Sequence, residues 1–307
     1  MAQSPTTSEY ARGALYGLAA VSIWAGFIVV ARLGIRTSLT PWDITAIRFA
    51  VSGSLLLPYA IHKGLALERL GWAGLAAIVA GSGAPMVLLA NAGLLFAPVA
   101  HAGALFPGVT PLIVAILAAA ILREAFTSPK RIGSTLIVIG VIGIVWGAGG
   151  NIGTTQNIGH LLFLSAGLAW ACYTVAMRRA RLDGLHAASL AAATSLAIYL
   201  PIYMYFAGAS VFKAPLSDIA LQAIVQGFLT GIVALLLYGR MVSILGAMSG
   251  AAFLALTPAM TALMGIPVLG EWPSTIDWIA IAVISVGVYV VSGGPIPQFT
   301  KPLAQNR

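Results

Sequence analysis

Charge is what this sequence has least of. Its 307 residues include 8 Asp and Glu and 16 Lys and Arg, so charged side chains make up 8% of the chain. Water-soluble domains carry about 25%, and 8% leaves too little polar surface to hold a body of this size in solution. Cysteine is almost missing too. The single Cys172 excludes an intramolecular disulfide and a cysteine metal cluster. The short segments of alternating hydrophobicity that mark a β-barrel in lipid do not occur. Enzyme signatures are also lacking: there is no HExxH, no GxSxG, no intramembrane aspartate pair, and no metal-ligand spacing among His62, His101, His160 and His186. No channel filter is recognisable either, as a charged ring or a repeated carbonyl sequence. The chain is therefore expected to be neither an enzyme nor a channel, and to need no metal or cofactor. The N-terminal MAQSPTTSEYARG has no basic region before the first apolar run, so no cleavable signal peptide is expected.

What the sequence does have is 60% hydrophobic residues and a mean hydropathy of +0.97. Apolar runs recur at about 13–31, 42–61, 72–94, 99–121, 131–148, 158–177, 186–207, 218–238, 246–268 and 275–292. Each is about long enough to cross a hydrocarbon layer of about 30 Å as a helix. The expected fold is an all-α membrane protein with ten transmembrane helices. Thr40-Pro41, Ser128-Pro129 and Ser274 with Asp277 supply helix-start chemistry. With the N-terminus inside, twelve Lys and Arg fall on the cytoplasmic side. Three (Arg32, Arg36 and Lys213) fall outside, and Arg48 lies within a span. This bias follows the positive-inside rule, with both termini cytoplasmic. The net charge of +8 is thereby accounted for without a nucleic-acid partner.

One phrase occurs twice. VTPLIVAILAAAILRE, from Val109 to Glu124, returns 147 residues later as LTPAMTALMGIPVLGE, from Leu256 to Glu271. Gly140-Val141 likewise returns as Gly287-Val288, and WAGFIVVAR at Trp24 is echoed by WACYTVAMR at Trp170. Shared apolar composition does not fix Thr-Pro and Glu at one spacing. The chain reads as two five-helix repeats, 1–150 and 151–307, and because five is odd the second enters the membrane inverted. Inverted repeats recur in secondary transporters, with the substrate site near the midplane between the halves.

The Thr-Pro, Glu and Gly-Val pattern in both halves, with Trp24-Ala25 and PWDITAIRF from Pro41 to Phe49, resembles the drug/metabolite transporter superfamily. Within it the ten-span EamA-type exporters are the nearest likeness, and the bacterial aromatic amino acid exporters in particular. Ala280 stands where that family often has glycine. The resemblance implies a bacterial inner-membrane carrier, monomeric or homodimeric, embedded in membrane lipid. It also implies a central cavity lined by spans 1, 3, 4, 6, 8 and 9, and export of small amphiphilic metabolites, amino acids including aromatic ones, by alternating access.

Candidate cargo contacts are polar or aromatic residues far from span ends. They are Trp24, Ser82, Asn91, His101, Trp170, Tyr173, Tyr238, Met248 and Ser249. Asn91 and His101 correspond across the repeat to Tyr238 and Met248, so a duplicated scaffold would present different side chains. All eight acids lie in loops or at span ends, and only His101 could carry a proton within the membrane. Uncoupled facilitated diffusion is the expectation; the alternatives are a proton-coupled multidrug or other metabolite exporter and a membrane-embedded enzyme. Pro111 and Pro258 are expected hinges. Gly265 and Pro267, found in the second copy alone, are expected to make the end of span 9 more irregular than the end of span 4, as a gate. Arg48 and Glu271 are an expected ion pair. His62, His160 and His186 are expected to be solvated at span ends.

Overall fold

The computed structural model describes residues 6–147, 155–208 and 210–294, apart from the side chains of Ala247 and Met248. The boundary expected between the two repeats lies outside these residues, as does the Met248 side chain. The described chain is helical: α1 Thr7–Thr37, α2 Pro41–Lys63, α3 Leu67–Ser82, α4 Ala84–Gly93, α5 Val99–Leu105, α6 Thr110–Ile121, α7 Ser128–Gly147, α8 Thr155–Arg179, α9 Gly184–Ala207, α10 Leu216–Gln222, α11 Ala234–Leu245, α12 Ala247–Leu254, α13 Thr257–Leu269 and α14 Thr275–Val291. A 3-10 turn spans Ser210–Lys213, and a π-helical segment, Ala223–Val233, joins α10 to α11. Among the described residues nine helices are long and apolar enough to cross a membrane, and the shorter apolar α14 follows them.

The helix starts follow from hydroxyl caps. Thr6 with Glu9, Thr40 with Asp43 and Ser274 with Asp277 each form a reciprocal capping box, which satisfies two of the N–H groups a helix start leaves bare. The repeated Thr-Pro interrupts both copies of the phrase. α5 ends at Leu105 and α6 begins at Thr110; α12 ends at Leu254 and α13 begins at Thr257. In each case proline sits in the first turn of the new segment, where its missing N–H costs least.

The far ends of these segments match. Glu124 N donates to Ala118 O, and Glu271 N donates to Gly265 O, both at 3.3 Å. Arg123 and Gly270 both turn the chain with positive φ, at 56° and 68°. The irregularity expected at the end of α13 is therefore absent. The same 6→1 closure determines both ends, and Arg123 adopts it despite a Cβ that disfavours left-handed backbone by roughly 1–2 kcal/mol. Pro267 is carried inside α13, and Gly265 leaves room for Val99, whose Cγ2 would lie 2.5 Å from an added Cβ.

α7 and α14 pack backbone to backbone. A Cβ on Gly133 would lie 2.5 Å from Val291 N, and one on Gly287 2.8 Å from Gly133 O. Small residues allow such approach where lipid supplies no hydrophobic drive between helices. α2 packs on α9, α3 on α8, and α1 on α11 and α13. This arrangement leaves a space between them.

Candidate substrate cavity

That space is a cavity of about 790 Å³. Trp24 and Phe27 of α1 line it, together with Arg48, Phe49 and Ser52 of α2. Ser82 of α3, Met86 of α4, Trp170, Tyr173 and Met177 of α8, and Thr230 and Tyr238 from the π segment and α11 complete most of the wall. The broken helices also reach it. Pro107, Thr110, Pro111, Leu254 and Thr257 all border the space. Because Pro111 and Pro258 have no N–H to give, the carbonyls of Pro107 and Leu254 lose their helical donor beside the cavity. The expected lining is incomplete: α2 and α9 contribute as well, and Val288 of α14 reaches the wall.

The aromatic walls form two groups. Trp24 meets Tyr238 with ring centroids 5.2 Å apart. Trp170 lies 5.4 Å from Tyr173 and 6.4 Å from Phe106. Such tilted and edge-on contacts hold rings firmly while leaving faces available. Of the expected cargo contacts, Trp24, Ser82, Trp170, Tyr173 and Tyr238 line the cavity, and Ser249 does not; its hydroxyl donates to Leu245 O.

Asn91 and His101 are buried away from the cavity. Asn91 Nδ2 donates to Thr45 Oγ1 at 3.2 Å, which ties α4 to α2. His101 lies between His160 and Asp277: Nδ1 is 2.9 Å from His160 Nε2, and Nε2 is 3.1 Å from Asp277 Oδ1. Gln156 Nε2 also reaches Nδ1, at 3.2 Å. The geometry suits His101 donating from Nε2 to the carboxylate and accepting at Nδ1. His160 Nδ1 is then a buried nitrogen with no partner among the described residues. His160 and His186 are thus not solvated; His186 Nε2 meets Gly64 O at 2.9 Å. His160 in the second turn of α8 and His186 in the first turn of α9 are covered by neighbouring segments rather than by water.

The expected Arg48–Glu271 pair does not form. Glu271 accepts from Arg32 Nε at 3.0 Å, Arg36 Nη2 at 2.6 Å and Val99 N at 2.8 Å. Arg32 also donates to Leu94 O. These contacts fasten α1, α5 and α13 together where α1 finishes. Arg48 instead donates to Gln226 Oε1 at 3.3 Å. At the other end, where α8 finishes, Glu124 accepts from Arg178 at 2.5 Å and from Lys130 at 3.3 Å. Two α1 arginines thus pair with the glutamate after α13, and an α8 arginine with the glutamate after α6. The cavity wall includes Met177, Gly184 and exposed Arg240 at the α8 end, but none of the residues fastened at the α1 end.

Gln222 and Gln226 went unnoticed in the sequence. Both are buried, and they donate to Val30 O and Phe27 O of α1 at 2.7 and 2.8 Å. Their signal was two amides four residues apart in an otherwise apolar run.

The profile of the EamA-like transporter family matches residues 11–146 and matches again over 157–293. YedA of Escherichia coli K12, described as an uncharacterized inner membrane transporter, is 25% identical over 301 residues, 95% of this chain and 93% of its own. The uncharacterized transporter YetK of Bacillus subtilis is 26% identical over 191 residues, 59% of this chain and 56% of its own. A protein crystal structure with 22% identity superposes with a TM-score of 0.60, covering 91% of this chain and 95% of that one.

Proposed function

The chain belongs to the EamA-like transporter family, and from that premise we propose that its cavity carries small amphiphilic metabolites out of the cell. Amino acids, aromatic ones included, are the first candidates. The observation that carries this reading is the cavity of about 790 Å³ with aromatic walls at Trp24 and Trp170, corresponding positions of the two halves. α14 crosses the membrane as the tenth helix, and the halves form an inverted repeat. The double profile match and the matched ends of α6 and α13 support this. With the charge bias placing both termini in the cytoplasm, the α1 end faces out. The cavity then faces inward behind a gate fastened by Glu271. Alternating access releases that gate and closes the Glu124 end.

No carboxylate lines the cavity among the described residues, which favours cargo moving down its own gradient. Proteoliposomes should show saturable flux of unaltered labelled phenylalanine or a similar amphiphile. Trp24→Ala and Trp170→Ala should weaken half-saturation without loss of folded protein. Flux unaffected in both variants would refute the cavity as the path, and chemically altered cargo would favour an enzyme.

A second reading has its own observation. The buried Asp277–His101–His160 chain ends on a bare nitrogen at the outer end, which suits a proton carrier. Uphill uptake driven by an imposed pH gradient, and lost in His101→Ala, would select proton coupling. Flux indifferent to the gradient would exclude it.

A further inference from the structure

Arg48 has a surplus of donors and a deficit of partners. It projects from the second turn of α2, is 8% exposed and lines the cavity. A guanidinium has five N–H groups, yet the one side-chain acceptor it meets among the described residues is Gln226 Oε1. That amide is held in place, because Gln226 Nε2 donates to Phe27 O at 2.8 Å. The guanidinium carbon lies 5.6 Å from the Phe27 ring centroid and 5.9 Å from that of Phe49. The rings fix the plane of the fork while leaving its charge uncompensated. Buried cations are ordinarily paired with an anion. None of the five ion pairs among the described residues includes Arg48.

The charge around the cavity has one sign. Its ionisable wall residues, tyrosine aside, are Arg48 deep inside and Arg240 at the mouth, with no Asp or Glu. Such a funnel raises the local concentration of anions and repels cations. The π-helical backbone around Gln226 brings α2 close: Cβ atoms added to Gly227 and Gly231 would lie 2.5 Å from Val51 and 2.9 Å from Ser52. π segments often mark functional sites, and this one seats the amide that holds Arg48.

Resting on the transporter reading, we propose that Arg48 is the cavity's anion-binding residue, and that the cargo is an organic monoanion with an aromatic or branched apolar body. The carboxylate meets the free edge of the guanidinium through paired N–H donors. The body lies among Trp24, Phe49 and Tyr238. An amino group is not required, since the cavity offers an ammonium no carboxylate, only ring faces, hydroxyls and the carbonyls of Pro107 and Leu254. A bare carboxylate is thus preferred to the corresponding amino acid, and both to an amine that lacks the carboxylate.

Three probes with one ring and similar side chains separate these contributions: hydrocinnamate, its neutral amide hydrocinnamamide, and phenethylamine. Binding to detergent-purified protein is read by tryptophan fluorescence. The wild type should bind hydrocinnamate about 10- to 100-fold more tightly than the amide, the range of charge-assisted hydrogen bonds. It should bind phenethylamine most weakly. Arg48→Gln should abolish the preference for hydrocinnamate over the amide. Arg48→Lys keeps the charge without the fork and should retain part of the preference; it also serves should the glutamine variant fail to fold. Equal binding of acid and amide by the wild type, or a preference unchanged in both variants, would overturn the role of Arg48 and leave the transporter reading standing. Binding of none of the probes would overturn both.

Discussion

Replacing Glu271 with glutamine should open the end of the molecule that the structure holds shut. The carboxylate bridges Arg32, Arg36 and Val99 N, and its side chain is 11% exposed. Glutamine keeps an acceptor for Val99 N but loses the charge. Hydrogen bonds to charged groups contribute about 1.5–3 kcal/mol each. The Arg36 side chain is 41% exposed, so its share is close to that of a surface pair, about 0–1 kcal/mol. Arg32, at 16%, accounts for most of the rest. A net loss of about 2 kcal/mol shifts the ratio of closed to open molecules about 30-fold. Glu124→Gln should act in the opposite sense and more weakly, because Glu124 and Arg178 are 31% and 43% exposed. Spin labels at exposed Leu95 and Trp272, placed in a Cys172→Ser background, would report the separation in lipid. Glu271→Gln should add or enlarge a long-distance population, and Glu124→Gln should not. Identical distance distributions in Glu271→Gln and wild type would refute the gate.

Two further outcomes follow from packing. Gly287→Ala places a methyl group against Gly133 O and Ile137 N, so it should lower the melting transition by an amount equivalent to about 1–3 kcal/mol. Gly239→Ala, with nothing within 4 Å, should leave it unchanged or raise it. A melting experiment in which the two behave alike would contradict the close α7–α14 contact. Pro111→Ala and Pro258→Ala should slow transport more than they lower folded yield; unchanged flux would leave the helix breaks without a dynamic role.

The spans were legible because hydropathy and length alone determine what can cross a membrane. The breaks before α6 and α13 were legible because the proline of each Thr-Pro gives up a helical N–H donor, a loss that α13 nonetheless tolerates at Pro267. The aromatic walls at Trp24 and Trp170 were found through duplication. Side-chain direction was not legible. Asn91 and Ala90 are adjacent, yet Ala90 lines the cavity and Asn91 turns to Thr45, a difference of 100° around a helix that apolar neighbours do not reveal. The same ambiguity misassigned Glu271. Arg32 and Arg36 follow the first span and Arg48 lies within the second, and only helix packing shows which of them meets the carboxylate. The clue lay in the repeat: Arg32 and Arg178 correspond, as do Glu271 and Glu124, and each arginine pairs with the glutamate of the other half. His160 misled for another reason. Position near a helix end predicts solvent only when no neighbour covers it, and α5 meets this one through His101.

Passage of cargo through the cavity should require release of the fastened end. Cysteines replacing Arg32 and Glu271, in a Cys172→Ser background, can be joined by a cleavable bismaleimide in proteoliposomes. Counterflow of labelled phenylalanine or hydrocinnamate should stop when the link forms and return when it is cut. Undiminished counterflow through linked protein would contradict the account.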